Sequence, residues 1–95
     1  MQALILIKFA SLESRDAYYQ LCRLDSVIDS FMVYGRYDAV LILQGRNLEE
    51  IHDITLSKIQ PVPGVIEILP CIIVEHDTAS PAEHKLHLHG RQSSP

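Results

Sequence analysis

The segment Val33-Tyr34-Gly35-Arg36-Tyr37-Asp38, followed by the apolar run from Ala39 to Leu43, places a glycine turn and one carboxylate at the tip of an otherwise buried hairpin. Gly35 permits a positive φ and leaves its amide accessible, and Asp38, three residues on, is ionised at neutral pH. A zwitterion needs an anionic acceptor for its ammonium and N–H donors for its carboxylate, and this segment offers both. The same residues also suit a plain hairpin turn with an acidic neighbour.

Other reactive side chains are less organised. His52 lies among Glu49, Glu50 and Asp53 on an expected helix and reads as a surface residue. Asp29 and Asp38 are too far apart in sequence to argue for a carboxylate pair. No catalytic residue is therefore expected. His84, His87 and His89 fall close together, and neutral imidazoles bind zinc, nickel or copper. Structural sites also need a fourth ligand and a rigid frame, and only Glu83, His76 or Asp77 is on offer in a loop-like stretch. Neither a metal site nor a cofactor is expected.

The elements that must hold the hairpin follow from periodicity. Ala3 to Ile7 is a continuous apolar run of strand length. From Ser14, a candidate N-cap, to about Leu24, the positions Ala17, Tyr18, Leu21, Cys22 and Leu24 recur at helical spacing. Val27 to Tyr34 reads as a second strand, with Val27, Phe31 and Val33 on one face, and Gly35-Arg36 as a two-residue hairpin loop leading into a strand from Tyr37 to Leu43. Asn47 followed by Glu50 resembles a capping box, and Leu48, Ile51, Thr55 and Ile59 mark a second helix face that stops at Pro61. Val65 to Val74 is a last strand. Pro70 within it demands an edge or a bulge.

The order β-α-β-β-α-β is the ferredoxin-like α+β arrangement, with two helices on one face of a four-stranded antiparallel sheet. The first and third strands are apolar on both faces, so the face without helices needs a cover. Two such sheets packed face to face, a dimeric α/β barrel, are the expected solution.

A chain of 95 residues is one domain, near the lower end of what buries a core unaided. Twelve acidic and eight basic residues, with no basic cluster, argue against direct nucleic-acid contact. No apolar run reaches membrane-span length or has the form of a secretory signal, and Cys22 and Cys71 read as reduced core thiols, so a cytoplasmic location is expected.

Two blocks carry a family resemblance. Val27 with Met32 to Leu41 is similar to the Val-x-Gly-x-Tyr-Asp hairpin of the Lrp/AsnC effector-binding (RAM) domain, and Ile59 with Val62-Pro63-Gly64-Val65 is similar to its Ile-Pro-Gly-Val turn. The resemblance implies a ligand-binding and oligomerisation domain over residues 1–75, followed by a flexible His-rich tail over 76–95. It implies dimers assembled into rings, with an amino-acid effector held by Tyr34, Gly35, Arg36, Tyr37 and Asp38. Gly35 and Arg36 would offer backbone groups, Asp38 would face the ammonium, and Tyr37 would shape the cleft. The chain begins at its first strand without a helix-turn-helix, so the expectation is a stand-alone member, possible partner of a full-length regulator. Tyr34, Ile68 and Pro70 depart from the family's hydroxyl-bearing positions. The alternatives are a cofactor-free enzyme on the same barrel and an assembly module with a closed cleft.

Overall fold

The computed structural model describes residues 1–74; the expected tail, with His84, His87 and His89, lies outside the described residues. The strands β1 (Gln2–Phe9), β2 (Val27–Met32), β3 (Ala39–Gln44) and β4 (Val65–Ile72) alternate with helices α1 (Ser14–Cys22), between β1 and β2, and α2 (Leu48–Ile54), between β3 and β4. All neighbours are antiparallel in the order β2-β3-β1-β4, the ferredoxin-like arrangement expected from the sequence. Pro70 sits on an edge strand, as its missing N–H requires. The Ile73 N–H donates to the Gln2 carbonyl, so position 70, three residues back, points its nitrogen away from β1 and costs no ladder bond.

Strand alternation builds the core. Ala3, Ile5, Ile7 and Phe9 of β1 and Ala39, Leu41 and Leu43 of β3 are buried on the helix side, against Ala17 and Leu21 of α1 and Ile51 and Ile54 of α2. Their neighbours Leu4, Leu6, Val40 and Ile42 face the other side and are half-buried. Among the described residues that face carries no helix, as anticipated.

Several local expectations change. A 3₁₀ turn, Ser11–Glu13, precedes α1, and Glu13 rather than Ser14 holds the N-cap position, with no side-chain cap. The helix ends at Cys22, short of Leu24. A register shift between Val27 and Asp29 turns β2 over, so Val27 and Ser30 point towards α1 while Phe31 falls on the face opposite Val27. Tyr18 donates to Ser30 Oγ at 3.0 Å, and Cys22 Sγ lies 3.2 Å from the same oxygen. Cys71 is exposed on β4, not a core thiol.

The capping box is borne out in modified form. Asn47 Oδ1 accepts from Glu50 N at 2.9 Å, but the Glu50 carboxylate returns to the Arg46 N–H at 2.6 Å, one residue before the cap. Leu48 is exposed, whereas Ile51, Thr55 and Ile59 are buried. Beyond Ile54 the helix widens into a π turn, Thr55–Ile59, closed by Gln60 N–H on the Thr55 carbonyl.

Candidate functional site

The hairpin is wider than a two-residue turn: β2 stops at Met32, β3 starts at Ala39, and residues 33–38 form the connection. Asp38 explains the difference. Its N–H donates to the Ile7 carbonyl at 2.8 Å and its Oδ2 accepts from the Phe9 N–H at 2.9 Å, so one residue grips β1 on both sides of Lys8. The carboxylate replaces the ladder carbonyl that a longer β3 would supply, which frees Tyr37 from the strand. Val33 N–H on the Asp38 carbonyl closes the loop at its base. Gly35, at φ 123°, sits at the tip with open space around it.

The second sequence block reaches the same end of β1. Ala10 N–H donates to the Gly64 carbonyl at 2.8 Å. Gly64 has φ 99°, and a Cβ there would lie 2.8 Å from the Glu13 Cβ, so only glycine lets this turn seat against the start of α1. Asp38 and Gly64, far apart in sequence, thus fasten consecutive residues of one strand end.

Beside that end is a concavity of about 480 Å³, bordered by Met32, Val33 and Tyr34 of the hairpin, the Ser11 and Ser14 hydroxyl residues, and Asp38. Among the described residues, Lys8 and Asp38 are its charged lining residues. Tyr34 is fully exposed at the rim. Among the described residues, the N–H groups of Tyr34 and Gly35 meet no protein acceptor.

Arg36 and Tyr37 turn elsewhere. Tyr37 Oη donates to Glu67 Oε2 on β4 at 2.9 Å, and Arg36 Nη2 lies 3.4 Å from the same oxygen. The Arg36 guanidinium also stands 5.6 Å from the Tyr37 ring centre. Hydrogen bonding to Glu67 holds the Tyr37 hydroxyl above its ordinary pKa, assisted by desolvation and the nearby negative charge. The Arg36 carbonyl accepts from Lys8 Nζ at 3.2 Å. The expected residues therefore divide: Tyr34 and Asp38 line the concavity, Gly35 forms the tip, and Arg36 and Tyr37 brace the loop against β4. Sequence reasoning missed Ser11, Ser14 and Glu67. The two serines were legible only as hydroxyls near a helix start, and Glu67 pairs with Lys8 only through the β1–β4 register.

His52 is exposed on α2, in agreement with its reading as a surface residue. Among the described residues no cluster of His, Cys, Asp or Glu could hold a metal, and no helix is long and apolar enough to cross a membrane.

The family model of the Lrp/AsnC ligand binding domain matches residues 2–76. The chain belongs to this family. Membership makes it a ligand-binding domain of the Lrp/AsnC type, as the two sequence blocks had indicated. No curated protein sequence matches. Among solved structures, this Lrp/AsnC domain is similar to E. coli AsnC, with 18% identity and a TM-score of 0.75, over 83% of this chain and 54% of that one. It thus spans about half of the AsnC chain. A hypothetical protein of Pyrococcus horikoshii has 24% identity and a TM-score of 0.70, over 83% of this chain and 96% of that one. The transcriptional regulator NMB0573 of Neisseria meningitidis, solved as a complex with L-Met, has 20% identity and a TM-score of 0.69, over 90% and 58%.

Proposed function

We propose that this Lrp/AsnC domain is an amino-acid sensor and assembly module of the cytoplasm, binding its effector in the concavity beside the hairpin. The observation that carries the reading is that Asp38, Lys8, Ser11 and Ser14 line one space of about 480 Å³. An α-ammonium pairs with the Asp38 oxygen not used by Phe9. An α-carboxylate turns towards the Ser11–Ser14 segment, where the positive end of α1 and the hydroxyls favour it, or towards the N–H groups of Tyr34 and Gly35. Met32, Val33 and the Tyr34 ring offer the effector's side chain an apolar wall. Arg36 and Tyr37 contribute by holding the loop to Glu67.

The helix-free sheet face, with Leu4, Leu6, Val40 and Ile42, supports pairing with a second copy. At about 25 cal/mol per Å² of apolar area, covering it adds several kcal/mol to a small domain. Dimers of this kind assemble further into a ring, and a full-length regulator is a second class of partner. An effector that binds the assembled form better than the dimer then shifts assembly by mass action. Calorimetric titration against the standard amino acids, with mass followed by light scattering, tests both halves. Saturable binding weakened by Asp38→Asn, with a change in mass, is expected. Undiminished binding by that variant refutes the ammonium contact.

A further inference from the structure

Tyr37 lies at the end of β3, and its hydroxyl donates to Glu67 on β4, so its side chain spans β1, the strand between them. Glu67 stands opposite Lys8, one row beyond the Leu6–Leu69 pair, and alternates with Ile68, which packs on the core. The carboxylate therefore belongs to the sheet face without helices. Arg36 reaches the same Glu67 oxygen, and Lys8 Nζ holds the Arg36 carbonyl. The loop that borders the concavity is thus fastened to the margin of the face that carries Leu4, Leu6, Val40 and Ile42.

The strength of this fastening depends on water. The Glu67 and Arg36 side chains are 41% and 76% exposed, so in the unpaired chain solvent competes for their bonds and the hold on the loop is weak. We infer, on the sensor reading above, that Glu67 is a positioning residue that couples pairing of the sheet faces to the order of the effector loop. A second copy over Leu6 and Leu69 withdraws water from the adjoining Lys8–Glu67 row. Bonds from Tyr37 and Arg36 to Glu67 strengthen in that drier setting, and residues 33–38 become ordered. Lys8 and Arg36 balance Glu67 and Asp38, so the cover leaves no net charge in this margin. An effector then meets a loop already in its binding shape, which raises affinity for the paired form, and by reciprocity the effector favours pairing.

The test is amide hydrogen exchange of the full chain, paired and unpaired, with mass followed by sedimentation in the same samples. The unpaired chain is obtained by dilution or by Ile42→Lys, which lies two rows from Glu67. The readout is the Val33 amide, which closes the loop on the Asp38 carbonyl; the Glu50 amide at the α2 cap is the reference. Pairing is expected to raise Val33 protection about threefold or more relative to Glu50 in the wild type. In Glu67→Leu, which removes both bonds and keeps the face apolar, pairing should persist and the rise should vanish. A plain brace would instead lower Val33 protection equally in both states, and that result overturns the coupling. So does a wild type that pairs without any rise at Val33. A chain that stays monomeric at every concentration refutes the face pairing itself, and the coupling with it.

Discussion

Replacing Asp38 separates its two roles, because one of its oxygens is already committed within the fold. In Asp38→Ala the Phe9 N–H loses its acceptor, and Phe9 is only 4% exposed, so water cannot readily replace it. A buried donor left unpaired costs about 1–3 kcal/mol, and a hydrogen bond to a charged group lies in the same range, so about 2 kcal/mol is expected. For a domain of this size that lowers Tm by about 8–16 °C. Asp38→Asn keeps an amide oxygen for Phe9 and gives up only the charge, so it should cost about 1 kcal/mol or less. Effector affinity should move differently: both variants remove the negative charge, and both should weaken amino-acid binding about tenfold or more, the lower range for a charge-assisted contact. The assay is thermal and urea unfolding at one fixed protein concentration, since association shifts apparent stability, paired with calorimetry on the same samples. A loss below about 0.5 kcal/mol in Asp38→Ala, the level of an ordinary surface change, would refute the clamp on β1. Wild-type affinity in a well-folded Asp38→Asn would instead refute the ammonium contact while leaving the clamp intact.

Gly64→Ala should destabilise by about 1–3 kcal/mol, because positive φ is joined by a Cβ contact at 2.8 Å with Glu13; Gly35→Ala, with positive φ but open space, should cost less in the same unfolding assay. Tyr37→Phe removes the hydrogen bond to Glu67. Since the folded-state pKa of Tyr37 is raised, its contribution is full below about pH 10 and is lost as pH rises through the folded value; pH-dependent unfolding of the variant should lack this alkaline decline. Asn47→Ala should cost about 1 kcal/mol as a lost N-cap. The adjoining Glu50 carboxylate has its pKa lowered, chiefly by the Arg46 N–H, so its contribution is present at neutral pH and is lost as pH falls through the depressed value; Glu50→Gln should flatten that acidic step. On the proposed association face, Leu6→Lys should shift the species in sedimentation towards monomer, and an unchanged mass would rule out sheet-face pairing.

The order of elements was readable along the chain because burial imposes its period on each one. Ala3 to Ile7 of β1 and Ala39 to Leu43 of β3 are apolar at every position, Ala17 and Leu21 mark the inner face of α1, and Pro70 pointed to an edge. The Gly35 and Gly64 turns were readable for a related reason: both glycines hold positive φ, which few other residues tolerate. Local pattern could not reveal what depends on contacts between distant segments. The turnover of β2 arises where its register against β3 slips, and no residue type announces it. Asp38 is ionisable wherever it lies, but its bond to Phe9, 29 residues away, exists only once β1 and β3 have paired. The same pairing, extended to β4, brings Glu67 to Tyr37 and Arg36 and so turns those two side chains to the sheet edge instead of the concavity. Residue type and spacing therefore specified which groups are available for chemistry, and tertiary packing decided which of them meet, because a hydrogen bond near 3 Å depends on the position of both partners.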